Sequence, residues 1–99
     1  MKVKDLPVQE RPRERLQKVG VENLSNEELL SIILKSGNRK KSVKELSSDI
    51  IAKVGSIDKL KEVTKESLQE IDGIGLAHAL TILSSVELGK RIFMDNQNT

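Results

Sequence analysis

The stretch Ile71-Asp72-Gly73-Ile74-Gly75 restricts this chain more than any other. Leu68 and Ile71 precede it three residues apart, and Ala79, Leu80, Leu83 and Val86 follow it at helical spacing. Two helices that reverse in so few residues need positions that a Cβ would obstruct, and glycine provides them through positive φ or close backbone approach. Ile74 between the glycines turns inward and pins the two helices together. The pattern hydrophobic-x-Gly-hydrophobic-Gly, with the small Ala79 four residues on, reads as a helix-hairpin-helix. In that arrangement the hairpin amides and the positive end of the second helix face outward, where a nucleic-acid phosphate can sit. A tight corner between two helices with no ligand has the same local spacing, and the spacing does not separate the two.

The 99 residues provide for one small domain. With no cysteine and with His78 as the single histidine, disulfides, thiolate metal sites, a zinc site and Ser-His-Asp or Cys-His catalysis have no residues to build on. The carboxylates fall on outer helix faces with no cleft around them. The expectation is a domain that is not itself an enzyme and needs no cofactor or metal. No apolar run approaches the ~20 residues of a membrane span, and Met1 to Asp5 is not a secretory signal, so a cytoplasmic location with no membrane contact is expected.

The net charge of +2 says less than its distribution. Lys35 to Lys44 holds five basic residues and no acid, whereas Asp58 to Asp72 holds five acids and three lysines. If DNA binds, hairpin amides and a basic loop must hold it rather than a broad positive face. Phe93 is the only aromatic residue, which argues against single-strand recognition by base stacking.

Along the chain, residues 1 to 10 read as an extended arm. Pro12 opens a short basic helix that Gly20 ends. Ser25-Asn26-Glu27-Glu28 is a capping box, and Leu29, Leu30, Ile32, Ile33 and Leu34 wrap most of the helix that follows, so a central, buried helix ending near Gly37 is expected. Ser42-Val43-Lys44-Glu45 is a second box, opening a helix with Val43, Leu46, Ile50 and Ile51 on one stripe and Gly55 at its end. Ile57, Leu60 and Val63 form a short helical segment, and Thr64 caps the helix entering the hairpin. The last helix is expected from Leu76 to about Phe93, with residues 95–99 a disordered tail or the start of a linker. No segment alternates with period two over strand length. The chain reads as all-α, five or six helices, with a core of Leu29, Leu30, Ile33, Leu46, Ile50, Leu60, Leu68, Ile71, Ile74, Leu80 and Leu83. The helices flanking residues 37–42 repeat the topology of those flanking Gly73–Gly75, which fits either a degenerate tandem pair of hairpins or chance self-similarity among helices.

Arg11-Pro12-Arg13-Glu14-Arg15-Leu16, Leu24-Ser25-Asn26-Glu27-Glu28-Leu29-Leu30, Gly73-Ile74-Gly75 with Ala79, and Glu87-Leu88-Gly89-Lys90-Arg91 occur here in order. Together they resemble the N-terminal domain of the RadC-like (UPF0758) family, called DNA repair proteins, over about Val3 to Phe93. The resemblance implies a helix-hairpin-helix domain, residues 1–94, joined in the parent to a C-terminal JAB/MPN domain with a metal-dependent hydrolase-like site, none of which is in this sequence. The chain thus looks like the N-terminal part of a longer protein. Lysine often stands in this family where His78 stands here, and a largely neutral imidazole is a weaker phosphate partner.

The expected function is weak duplex DNA binding without sequence preference. Gly73, Ile74, Gly75 and Leu76 present main-chain amides, Ala77 and His78 flank them, and Arg39, Lys40 and Lys41 supply attraction. The rival is a protein-interaction module that orients the C-terminal JAB/MPN domain. The mild charge, the acidic helix before the hairpin and the missing lysine favour that rival, and Asp72 beside the hairpin would repel a phosphate.

Overall fold

A computed structural model describes residues 11–97, and the expected N-terminal arm, residues 1–10, lies outside them. All regular structure among the described residues is helical. Helix α1 spans Pro12–Val19, α2 Asn26–Leu34, α3 Val43–Val54, α4 Lys65–Gln69 and α5 Leu76–Gln97, with 3₁₀ segments at Val21–Asn23 and Ile57–Glu62.

The starts of α2, α3 and α4 follow from side-chain caps. The hydroxyls of Ser25, Ser42 and Thr64 accept the amide hydrogens of Glu28, Glu45 and Ser67, whose side chains reach back to the capping residues' own amides. Each box satisfies two donors that a helix start leaves without partners. Glu28 also takes the guanidinium of Arg15, which ties α1 to the start of α2.

Helix α2 ends at Leu34, earlier than a stop near Gly37. Lys35 adopts φ 73, ψ −50, and the Ser36 amide donates to the Leu34 carbonyl at 2.9 Å, which together make a strained γ-turn. Gly37 is needed for a different reason. A Cβ there would lie 2.2 Å from the Lys41 carbonyl oxygen, so the loop can fold against its own backbone only with glycine.

The core consists of Leu30, Leu34, Val43, Leu46, Ile50, Leu60, Leu68, Ile71, Ile74, Ala79 and Ile82. Four expected core residues are placed otherwise: Leu80 and Ile33 are exposed, while Leu29 and Leu83 are only partly buried. Helix α2 is therefore buried along one side rather than all round. Its crossing with α3 is made close by two buried serines, whose hydroxyls lie 3.0 Å apart and also face the Glu27 and Val43 carbonyls of the preceding turns. On α5 the buried line is Ala79 and Ile82 with Leu83 and Val86 beside it, and Leu80 points away from it. Helix α5 continues past Phe93 to Gln97, so residues 95–97 of the expected tail are helical; 98 and 99 lie outside the described residues.

Candidate nucleic-acid interface

Between α4 and α5 the chain makes one β-turn. The Ile74 amide donates to the Ile71 carbonyl at 3.0 Å, and Gly73 takes φ +94 at the third position, as a type II turn requires. Ile71 and Ile74 are buried, which anchors both ends of the turn, while Asp72 is exposed. Gly73 is doubly constrained. A Cβ built on it would stand 2.8 Å from Leu46 Cδ2 and 3.0 Å from Asn38 Nδ2, so the turn packs directly on α3 and on the loop before it.

Gly75 differs from Gly73. Its φ is not positive, and a Cβ there would meet nothing within 4 Å. It occupies the capping position of α5, its carbonyl accepting from the Ala79 amide at 3.1 Å. Having no side chain, it brings no oxygen to the first-turn amides of Leu76, Ala77 and His78, in contrast to the capping residues of α2, α3 and α4. Leu76 and Ala77 are exposed and His78 is half-buried. The His78 ring has no hydrogen-bond or ion-pair partner among the described residues.

The basic loop is fastened to this turn. Asn38 Oδ1 accepts the Lys40 and Lys41 amides at 2.8 Å each, and Asn38 Nδ2 donates to the Gly73 carbonyl at 3.3 Å. Asn38, Arg39, Lys40, Lys41, Asp72 and Gly73 thereby line a shallow cleft of about 300 Å³. Asn38 is thus a positioning residue that sequence reasoning missed; the only signal for it was the Gly37-Asn38 break itself. A wider groove of about 970 Å³ lies between α1, α2 and the start of α3, lined by Pro12, Leu16, Ile32 and Val43 among others, away from the hairpin.

The three expected cations of the loop are not equivalent. Arg39 and Lys40 are exposed, and their charged groups have no partner among the described residues. Lys41 Nζ lies 2.7 Å from Asp49 and 3.6 Å from Asp72. The Asp49 carboxylate, reinforced by Asp72, raises the Lys41 pKa above the ordinary lysine value. Its charge is therefore largely committed to carboxylates of the same chain. The same contact offsets the Asp72 charge beside the turn. Asp72, Gly73 and the loop cations thus meet on one surface, with the first turn of α5 following directly in the chain.

Among the described residues no group of histidines, cysteines and carboxylates is placed to hold a metal, and no helix is long and apolar enough to cross a membrane.

The model of the UPF0758 N-terminal family matches residues 3–80. A UPF0758 protein of Bacillus licheniformis is 51% identical over 92 residues, which cover 93% of this chain and 41% of that protein. The UPF0758 protein YsxA of Bacillus subtilis is 49% identical over 92 residues, 93% of this chain and 40% of its own length. A UPF0758 protein of Clostridium botulinum is 46% identical over 90 residues, with 91% and 40% covered. The chain therefore spans about two fifths of the length of these relatives. No solved structure matches it. With the family model covering most of the chain and the relatives aligning along nearly all of it, the chain belongs to the UPF0758 family and corresponds to its N-terminal domain.

Proposed function

We propose that α4, the 71–75 turn and α5 form a helix-hairpin-helix, and that this domain binds duplex DNA weakly and without sequence preference. The observation that carries the reading is the Asn38–Gly73 brace, which sets Arg39 and Lys40, without partners among the described residues, beside the turn that leads into α5. One phosphate sits on the amides of Leu76, Ala77 and His78, where backbone donors and the helix dipole both favour an anion. Arg39 and Lys40 meet a neighbouring phosphate from the loop between α2 and α3, the role a degenerate tandem hairpin would give it. Contacts of this kind fix position on the duplex and carry no sequence information.

The strength follows from the charges. With Lys41 held by Asp49 and Asp72, two loop cations remain to displace counterions, so log affinity should fall with log salt at a slope of roughly 2. The domain serves as the DNA-contacting part of a longer cytoplasmic protein associated with DNA repair, and it carries no catalysis of its own.

The test is titration with duplex, branched and single-stranded DNA across a salt series. Duplex binding is expected to weaken with salt as stated. His78→Lys should tighten it and steepen the slope by ~0.9, the increment for one more phosphate contact. Undetectable duplex affinity at low salt, with none created by His78→Lys, would make the turn a structural corner only.

A further inference from the structure

The last turns of α5 carry apolar residues that the domain does not use. Leu88 is 61% exposed, Ile92 62%, Phe93 70% and Met94 57%. From Glu87 to Met94 every residue except Gly89 is exposed, so the body of the domain ends near Val86 and the helix runs on beyond it.

Three of these four side chains share one face. At 3.6 residues per turn, Phe93 falls eleven residues after Ile82 and continues the line of Ile82 and Val86, which faces the core lower down. Leu88 and Ile92, one turn apart, flank that line on one side, roughly 140° and 100° round from it with Gly89 between, so they form one apolar sector with Phe93. Met94 lies near the direction of Leu83, within the sector that Glu87, Lys90 and Arg91 occupy. Leu88, Ile92 and Phe93 thus make an apolar stripe beside a charged face, the pattern of a helix that buries one side against a neighbour. A contiguous exposed apolar patch marks an interaction surface by the same reasoning.

We infer that residues 88–94 of α5 are the docking surface for the polypeptide that full-length UPF0758 proteins carry after this domain. Two observations choose that occupant. The relatives extend well beyond the matched two fifths of their length, and the matching family model is the N-terminal one, so the added length follows this domain in the chain. The unclothed surface is also at the end of α5 from which that polypeptide departs. A segment tethered a few residues away has a high effective concentration, so modest apolar contacts suffice to hold it. The core-facing line of α5 then continues without interruption from this domain into the next. The inference uses a surface separate from the hairpin and holds whether or not the hairpin binds DNA.

Amide hydrogen exchange tests it. This 99-residue chain is compared with the same chain continued by the downstream segment of the Bacillus licheniformis relative. Exchange across 88–94 is expected to slow at least tenfold in the longer protein, with 77–86 unchanged. Leu88→Glu combined with Ile92→Glu should return it to the rate of the short chain. YsxA, which carries its downstream segment naturally, provides a second measurement at full length and cut to the matched stretch, independent of whether the fusion folds. Equal rates in long and short forms of YsxA would overturn the inference. Slow exchange in the short chain that depends on its concentration would also overturn it, and would assign the surface to a second copy.

Discussion

Gly73→Ala perturbs the position where local backbone and tertiary packing constrain the hairpin together. Two costs add. An alanine held at φ +94 loses ~1–2 kcal/mol because its Cβ crowds the carbonyl in the left-handed region. The added methyl also enters space 2.8 Å from Leu46 Cδ2 and 3.0 Å from Asn38 Nδ2. Neither neighbour moves freely. Leu46 is fully buried, and Asn38 is held by the Lys40 and Lys41 amides on its other side. Overpacking of this kind costs ~1–3 kcal/mol, so the total is about 2–5 kcal/mol, a large part of the stability of a small domain. Urea unfolding followed by circular dichroism reads it, with Gly75→Ala as the control. At Gly75 the methyl meets open space and the cost should stay near ~0.5–1 kcal/mol, from the poorer capping residue. Leu46→Ala, itself expected to cost ~2–5 kcal/mol, isolates the contact with α3. In its background Gly73→Ala should lose the Leu46 share of the packing cost and keep the backbone and Asn38 shares, a coupling of up to ~1–3 kcal/mol. If Gly73→Ala costs no more than Gly75→Ala, or costs the same with and without Leu46, the packing of the turn on α3 is not what fixes the hairpin.

Ser25→Ala, Ser42→Ala and Thr64→Ala each remove one amide partner at a helix start and should lower stability by ~0.5–2 kcal/mol, read from shifts of the unfolding midpoint. The Ser25 amide, with the Arg15 guanidinium behind it, holds the Glu28 carboxyl below the usual carboxylate range against the opposing effect of partial burial. A lowered folded-state pKa means that this contribution is complete above the unfolded-state value and is lost as pH falls through the folded one. Glu28→Gln should therefore flatten the acid side of the stability profile and leave no extra loss below it. Gly75→Ser should raise stability by supplying a capping oxygen to the first turn of α5, and should weaken duplex binding because that oxygen competes with phosphate for the same amides. Gain of stability with unchanged DNA affinity would remove the start of α5 from the interface.

The elements legible in the sequence were those fixed by local chemistry. Ser25 with Glu28 and Ser42 with Glu45 mark helix starts because the capping contacts lie within one turn, and the Gly73 turn is legible because few other residues tolerate its backbone. The orientation of the helices about their axes was not legible. Five apolar residues in a row of six on α2, and apolar residues scattered around α5, leave the periodicity without a preferred face. Size then misleads: the large Ile33 and Leu80 are exposed, while Ser31, Ser47 and Ala79 are buried because helices approach closely only over small side chains. The end of α2 was misplaced because a non-glycine residue, Lys35, takes the positive φ and leaves Gly37 to a packing role. At the candidate site, the run of cations around residues 39–41 was visible as charge. The pairing of Lys41 with Asp49 and Asp72 depends on folding and could not be read from the order of residues.

The features that argued for DNA and those that argued for a protein partner sit at opposite ends of one helix. The first-turn amides of α5 begin at Leu76 and the uncovered apolar turns begin at Leu88. At ~1.5 Å per residue, Leu76 and Ile92 are roughly 25 Å apart along the axis, more than two Debye lengths at physiological ionic strength. A phosphate at one end and a polypeptide at the other thus neither touch nor appreciably influence each other's charge. Ala79, Ile82 and Val86 fix the intervening turns against the core, so the helix acts as a strut with a set direction. On the proposed reading, its task is to hold whatever follows it at a fixed distance from the duplex. Weak contact at the hairpin is consistent with that task, because a strut that sets a distance needs only to touch the duplex. On that reading the mild charge, the exposed Asp72 and the histidine where the family resemblance implies lysine would lower the affinity of the isolated domain for DNA. They leave the geometry of the strut unchanged.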